Sequence, residues 1–239
     1  MEYPDLWAYL RTVQKPIYLY GMGNGADTLL QLLTQIGVRV RGVFASDEFV
    51  RYQSFHGFCV TSYAEARAAA PHMLILVAFG SSRPEVMANI ARLAREQELY
   101  APALPLFGGE LFTAAYARAH ARELAKVYAR LADEASRLAF RELVAYKLHG
   151  DIRHLFACET PQAEVFSTFF HLRPGESYAD LGAYTGDTIA QFAALCPQYR
   201  CIYGMEPDAR SFRKLLQNTK NLPRTTLWNA CCADRPQFL

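Results

Sequence analysis

The chain has 239 residues, of which 51% are hydrophobic and 20% are charged, and its formal net charge is +2. This length and composition are typical of one large or two small globular domains with ordinary hydrophobic cores. The near-neutral charge, with arginines spread along helical segments, argues against nucleic-acid binding. No apolar stretch is long enough to cross a bilayer, and the N-terminus lacks the basic and apolar regions of a signal peptide. We therefore expect a cytoplasmic protein without a membrane partner.

The cysteines and histidines follow no metal-site or redox pattern. Six cysteines are present without a Cys-x-x-Cys pair, and the adjacent Cys231 and Cys232 cannot easily bridge to each other. His149 and His154 are five residues apart, so they lie on different faces of a helix. We predict reduced thiols and no metal ion.

The first hundred residues alternate strand and helix patterns. An apolar run at 17–20 leads into a glycine-rich loop and then into a helical pattern that stops at Gly37. Further strands are predicted at 38–45 and 73–79, and further helices at 62–70 and 84–97. This alternation predicts a parallel, Rossmann-like sheet, and we assign the domain to residues 1–109.

The loop after the first predicted strand has the spacing of a dinucleotide-binding turn. Phosphates would lie on N–H groups at the start of the helix, and an aspartate after the second strand would meet a ribose. The spacing of this loop leaves three alternatives: an NAD site, a sugar-nucleotide site and a purely structural turn. Ser81, Ser82 and Arg83 suit phosphate binding, although capping of the next helix also explains the serines. The residues of this candidate nucleotide site are Gly21, Gly23, Asn24, Gly25, Ala26 and Asp47.

Residues 110–155 form a predicted helical connector. Apolar positions recur once or twice per turn from Glu110 to His149, which predicts continuous amphipathic helix. Asp133 offers a start for a second helix, and Gly150 is suited to end the segment. The apolar face must be covered either by neighbouring sheets or by a second copy of the chain, so a homo-oligomer formed through the connector is an open alternative.

Residues 156–239 return to alternation of strands and helices. A helix at 162–171 and a turn at 173–176 are predicted first. The segments that follow are predicted strands at 177–181, 200–205 and 225–230 and predicted helices at 188–195 and 209–219.

Two motifs in this last segment form the main candidate site. One strand ends in Asp180 and continues into a small-residue loop and a helix, and the next strand ends in Glu206. Glycines let a ligand approach the backbone closely, and the strand-end glutamate can accept ribose hydroxyls. Acids before and inside the loop repel phosphate and favour a cation, which suits the ammonium and sulfonium groups of S-adenosylmethionine. The alternative is a structural turn in which the acids cap helices. The predicted cofactor-binding residues are Asp180, Gly182, Ala183, Tyr184, Gly186, Asp187, Thr188, Glu206, Pro207 and Asp208.

The segments DLGAYTGDT and IYGMEPDARSFRKLLQNTKN resemble the core of the FkbM-type class I methyltransferases, and the resemblance extends upstream into 127–150. It implies transfer of a methyl group from S-adenosylmethionine to an oxygen of a sugar or secondary metabolite, the expected small-molecule partner. The N-terminal segment resembles the N-terminal module of certain bacterial sugar O-acyltransferases, whose loop holds a nucleotide sugar. With that context, a sugar nucleotide is preferred over NAD at the first loop.

The resemblance also implies what this sequence lacks. Class I methyltransferases have seven strands, and motifs for only the first three are present, so we expect a truncated methyltransferase domain that is inactive in transfer. The adenine is commonly contacted after the third strand, near Asn229, Ala230 and Cys231. No catalytic residue is assigned. The alternative function is a non-catalytic module for sugar-nucleotide binding or assembly.

Overall fold

The structure is a computed structural model that describes residues 3–81, 83–105, 109–160 and 164–233. The chain divides into two compact units, Met1–Glu159 (unit 1) and Thr160–Leu239 (unit 2). The three-segment division predicted from the sequence, with boundaries at 109/110 and 155/156, stays a prediction.

Unit 1 contains a six-stranded sheet. Its strand order is β3-β4-β2-β1-β5-β6, and β3 is antiparallel to β4 while the other neighbouring pairs are parallel. The five parallel strands thus have the Rossmann order 3-2-1-4-5. The strands are β1 Ile17–Tyr20, β2 Val40–Ala45, β3 Ser54–Phe55, β4 Phe58–Ser62, β5 Leu74–Val77 and β6 Glu98–Tyr100.

Helices cover both faces of this sheet. The helices are α1 Leu6–Leu10, α2 Asn24–Gln35, α3 Tyr63–Ala69 and α4 Pro84–Glu96. Leu29 and Leu33 of α2 pack with α1 on one face, and Ile90 and Leu93 of α4 pack with α3 on the other. Every residue of β1 and β5 is therefore buried, as is usual for parallel strands between two helical layers.

The connector is a series of separate helices. They are α5 Ala114–Ala119, α6 Ala121–Arg130, α7 Glu134–His149 and α8 Arg153–Phe156. The prediction of one continuous helix from Glu110 was wrong, because Thr113 caps a later start and Asp133 caps a new helix by accepting from the Ser136 N–H at 2.7 Å. Gly150, with φ of +64°, ends α7 as expected. Within the described residues, no helix has both the length and the apolarity that a bilayer span requires.

Unit 2 contains a three-stranded parallel sheet of order β7-β8-β9. Its elements are a π-helical segment Val165–Phe169, β7 Ser177–Leu181, α9 Asp187–Leu195, β8 Cys201–Met205, α10 Ala209–Thr219 and β9 Thr225–Trp228. Ile189, Phe192, Ile202 and Leu215 form its core, so α9 and α10 pack on the sheet. The first residues of the helix predicted at 162–171 lie outside the described residues, and β9 ends two residues before its predicted end.

The α/β class and the Rossmann-like parallel sheets predicted from the sequence are confirmed. The sequence patterns missed α1, both strands of the β3–β4 hairpin and β6, and each of these helices and strands is five residues or shorter.

Candidate functional site

The loop between β7 and α9 has backbone φ angles that glycine adopts more easily than other residues. Gly182 has φ of +113° and Gly186 has φ of +86°, and Tyr184 also lies in the left-handed region at +46°. A Cβ added at Gly182 would meet no atom within 4 Å, whereas one at Gly186 would lie 2.8 Å from Leu215 Cδ1. Gly186 therefore serves packing, and Gly182 leaves the backbone open to an approaching group.

Hydrogen bonds fix this loop to the end of β8. The Gly182 and Ala183 N–H groups both donate to the Met205 carbonyl oxygen, at 2.9 and 2.8 Å. The Asn218 amide of α10 donates to the Thr185 carbonyl oxygen at 2.8 Å. The loop is thus preorganised by its neighbours, which reduces the entropy that a ligand has to remove.

Glu206 lies directly after β8 and is only 8% exposed. One carboxylate oxygen, Oε2, accepts from the Tyr184 N–H at 2.9 Å, and Oε1 accepts from the Asp208 N–H at 2.8 Å. Each carboxylate oxygen has two lone-pair positions, so each keeps one for a further donor. Glu206 consequently joins the two loops of the site. The sequence predicts that Glu206 binds a ligand, but it does not predict that Glu206 also holds the two loops together.

Asp180 is the penultimate residue of β7. Its Oδ2 atom is buried and has no hydrogen-bond partner in the part of the chain that the structure describes. Burial raises the pKa of Asp180, and the negative charge of Asp187 raises it further. An unpartnered buried carboxylate oxygen is costly, and a cation beside it would remove that cost.

The remaining predicted residues of this site differ in their surroundings. Ala183 is buried in the core and Tyr184 is 60% exposed, while Asp187 opens α9 directly after Gly186, with Thr188 next to it. Asp208 caps α10 by accepting from the Ser211 N–H at 2.7 Å, which lowers the pKa of Asp208. Pro207 is exposed and lies between the two acids. The capping role of Asp208 needs no ligand to explain it.

Asn229 ties the end of β9 to the same turn. Its amide donates to the Glu206 carbonyl oxygen at 2.8 Å and to the Pro207 carbonyl oxygen at 3.0 Å. The structure therefore brings the ends of β7, β8 and β9 together at one edge of the sheet. Ala230 and Cys231 follow Asn229 along the chain at this edge.

The glycine loop of unit 1 is built differently. A Cβ added at Gly21 would lie 2.4 Å from the Phe79 ring, and one added at Gly25 would lie 2.2 Å from the Ala78 carbonyl oxygen. These two glycines allow α2 and the end of β5 to approach each other. Gly23, at φ of +107°, would meet no atom within 4 Å.

The other predicted residues of that loop lie on both sides of the helix start. Asn24 is the exposed first residue of α2, and Ala26 is fully buried against the sheet. Asp47 is exposed in a 3₁₀ turn, Asp47–Phe49, after β2. Arg83 forms an ion pair with Glu85, which competes with the phosphate contact suggested for it, and Ser82 lies outside the described residues.

The described residues of the two units bring no set of metal ligands together. Across residues 3–81, 83–105, 109–160 and 164–233, no three His, Cys, Asp or Glu side chains come close enough to hold a metal ion. His154 instead pairs with Glu142 at 2.7 Å.

The fold is that of a Rossmann-like α/β protein with parallel sheets, and its main candidate site lies at the carboxyl ends of the strands of unit 2. The structure is similar to the crystal structure of the methyltransferase FkbM from Methylobacillus flagellatus KT, with a TM-score of 0.59 and 16% sequence identity. The similarity covers 91% of this chain and 64% of that one, so this chain spans less than two thirds of that protein's length. No protein-family model and no curated protein sequence matches this chain. At this identity the similarity establishes the fold alone.

Proposed function

We propose that unit 2 binds S-adenosylmethionine and that the protein uses it to methylate an oxygen of a sugar or secondary metabolite. The observation that carries this proposal is the pair of acids at the ends of β7 and β8. Asp180 has a buried oxygen without a partner, and Glu206 lies on the other side of an open glycine loop.

The charges of this site fit a cationic ligand. Asp187 is close enough to Asp180 for its charge to raise the pKa of Asp180 beyond the effect of burial. A phosphate would face repulsion here, whereas an ammonium or sulfonium group would relieve the repulsion between the two acids. We assign Asp180 and Asp187 to the positive end of the cofactor.

The polar groups of Glu206 fit a ribose. Its carboxylate is held in place by the Tyr184 and Asp208 N–H groups and keeps one lone-pair position on each oxygen. Two hydroxyls on neighbouring carbons can donate to those positions. Gly182 and Gly186 let the cofactor approach the loop backbone, and we place Ala183, Tyr184, Thr188, Pro207 and Asp208 around it.

The bound cofactor would supply an activated methyl group. The task left to this chain is to orient that group, because a good leaving group needs little chemical assistance and alignment alone can supply several kcal/mol. Among the described residues we assign none as a general base. The ordered loop, fixed by Met205 and Asn218, is suited to positioning.

Isothermal calorimetry with S-adenosylmethionine and S-adenosylhomocysteine tests the proposal. Asp180→Asn should weaken binding of S-adenosylmethionine about tenfold or more, since the amide keeps an acceptor oxygen but loses the negative charge that attracts the cation. Asp133→Asn, at a helix cap in unit 1, is the matched control and should bind as the wild type does. No binding by the wild type, or equal affinity in Asp180→Asn, would exclude this site.

Methyl transfer to a panel of sugars and hydroxylated metabolites separates the two candidate functions. Labelled product supports a transferase. Cofactor binding without transfer is what the sequence predicts for three strands of a methyltransferase domain, whereas sugar-nucleotide binding without any cofactor binding supports the alternative, a non-catalytic module for sugar-nucleotide binding or assembly.

A further inference from the structure

Unit 1 has a cavity of about 460 Å³ at the carboxyl ends of β1, β2 and β5. The chain leaves β1 toward one face of the sheet and leaves β5 toward the other, because α2 and α4 pack on opposite faces. Open parallel sheets bind ligands at this kind of switch point, and cavities of 300–1,000 Å³ hold small molecules. The cavity is therefore in the right place and of the right size for a ligand.

Glycine packing explains only part of the loop beside this cavity. Gly21 and Gly25 are required where the Phe79 ring and the Ala78 carbonyl oxygen come close, but Gly23 faces open space. The N–H groups at the start of α2, a twelve-residue helix, follow directly after Gly23. Asp27 in the first turn of α2 is engaged by His56 at 2.6 Å.

Among the described residues, the walls of the cavity combine aromatic rings with a single cation. Phe49 and Phe79 line it, and Phe49 is 53% exposed, so an apolar ring remains available to a ligand. Arg51 also lines it, and among the described residues no carboxylate pairs with Arg51. One guanidinium nitrogen of Arg51 is held by the Glu48 and Val50 carbonyl oxygens, each at 2.9 Å. No acid is found among the described residues of this wall.

Gln53 holds the wall that carries Arg51 in place. Its Oε1 accepts from the Arg51 N–H at 2.8 Å, and its Nε2 donates to the Met22 sulfur at 3.0 Å. Ser46 and the buried Tyr20 hydroxyl, 2.6 Å apart, provide polar atoms in the same cavity. The cavity thus offers an apolar ring surface, a fixed positive charge and hydroxyl groups together.

A second cavity of about 400 Å³ adjoins the first. The two share Tyr20, Ala45, Ser46 and Val86 in their linings. Asp47 and Asn89 line the second cavity, and acids and amides are suited to hydroxyl groups. An elongated ligand can therefore place a ring and an anion in the first cavity and hydroxyl groups in the second.

We infer that unit 1 binds a nucleoside diphosphate that carries a further sugar or ribosyl group. The base packs against Phe49 and Phe79, the phosphates contact Arg51 and the N–H groups after Gly23, and hydroxyls reach toward Asp47. This site is independent of the cofactor site proposed in unit 2.

Thermal denaturation and calorimetry with UDP-glucose, NAD, uridine, adenosine and inorganic pyrophosphate test this inference on the whole chain. At a hundredfold excess over its dissociation constant, UDP-glucose or NAD should raise the melting temperature by about 5–10 °C. The nucleosides and pyrophosphate should each bind at least about tenfold more weakly than the intact nucleotide. Tighter binding of UDP-glucose indicates that the group beyond the diphosphate is a sugar, and tighter binding of NAD indicates that it is a ribosyl group. Binding of either supports the inference.

Two variants and their controls locate the ligand. Arg51→Gln should weaken binding about tenfold, and Phe49→Ser about threefold to tenfold. Arg41→Gln, on an exposed position of β2, and Tyr52→Ser, a more exposed aromatic outside the cavity lining, should bind as the wild type does.

Three results would overturn the inference. They are no shift with either nucleotide, unchanged affinity in both Arg51→Gln and Phe49→Ser, and pyrophosphate binding as tightly as the nucleotide. Saturating S-adenosylhomocysteine and the Glu206→Ala substitution should leave nucleotide affinity unchanged, so this inference and the function proposed for unit 2 can fail separately.

Discussion

The glycine loops of unit 1 and unit 2 have similar backbone conformations, but the side chains around them differ in charge. Each loop has two glycines at positive φ, Gly21 and Gly23 in unit 1 and Gly182 and Gly186 in unit 2. The described wall of the first cavity, beside the first loop, carries one cation and no acid, whereas Asp180, Asp187 and Glu206 surround the second loop. The acids near the first loop are Asp27, which pairs with His56, and Asp47, which lies in the adjoining cavity. The side chains at neighbouring strand ends, rather than the glycines, therefore determine the ligand charge that each loop favours.

The two loops also rest on different supports. Gly21 and Gly25 fit against Phe79 and the Ala78 carbonyl oxygen, which belong to the end of a neighbouring strand. Gly186 fits against Leu215 and Thr219 of α10. Substitutions beneath one loop should therefore leave the other loop unaffected.

Of the changes that test the separate supports of the two loops, Leu215→Ala should have the largest effect. Leu215 is fully buried, contacts the position of Gly186 and belongs to the core of unit 2. Its truncation should cost about 2–5 kcal/mol in the free energy of unfolding, since a cavity remains. Chemical denaturation measures this cost.

The adjacent Leu216 is the matched control for that experiment. It is 46% exposed, so Leu216→Ala should change the unfolding free energy by less than about 1 kcal/mol. Nucleotide binding in unit 1 should persist in Leu215→Ala under conditions where unit 1 remains folded. Loss of both sites together would contradict the separate supports.

Glu206→Ala should have the next largest effect. The substitution removes the acceptor for the Tyr184 and Asp208 N–H groups as well as the proposed ribose contact. Binding of S-adenosylmethionine should weaken by about 1.5–3 kcal/mol. Calorimetry gives the loss, and hydrogen exchange should be faster at the Tyr184 and Asp208 amides.

Glu176→Ala is the control for Glu206→Ala, because Glu176 is an acid of unit 2 in the turn before β7. It should leave both the affinity and the exchange rates unchanged. Faster exchange with unchanged affinity would show that Glu206 only fastens the loops and does not contact the cofactor.

Local sequence patterns predict the long regular elements and miss contacts between distant residues. The continuous apolar runs of β1 and β5 identified buried parallel strands, because helices cover both sheet faces. The five-residue helix α1 is too short to give a periodic signal. It depends on Asp5, which accepts from the Ala8 N–H and from the distant Ala114 N–H, each at 2.8 Å.

In the candidate site, too, local patterns predict positions along the chain but not the contacts between distant residues. The strand-end positions of Asp180 and Glu206 followed from the alternation of strands and helices. The two N–H groups bound by Glu206 could not be foreseen, because the Tyr184 contact depends on a left-handed residue in the folded loop. The Asp208 contact had a local signal, since an acid two residues before an N–H in Glu-Pro-Asp can accept from it.

The pH dependence of Asp180 is expected to be the smallest of these effects. Its pKa is raised in the folded protein by burial and by Asp187, so the folded state holds this proton more tightly than the unfolded state. Stability should therefore fall as pH rises from the ordinary aspartate pKa to the raised pKa of Asp180, and then level off. Asp180→Asn should remove this fall and make the ligand-free protein slightly more stable at neutral pH.

Cofactor affinity should change with pH in the opposite direction, because the ionised Asp180 carboxylate attracts the cation. Binding of S-adenosylmethionine should strengthen through the same pH window in which ligand-free stability falls. Calorimetry and denaturation of the wild type and Asp180→Asn across that window measure both quantities. The described wall of the first cavity in unit 1 has no acid, and the proposed partner of Asp47 in the adjoining cavity is an uncharged hydroxyl, so nucleotide affinity should lack this rise. If both sites strengthened together with pH, the contrast in charge between the two loops would not explain their ligands.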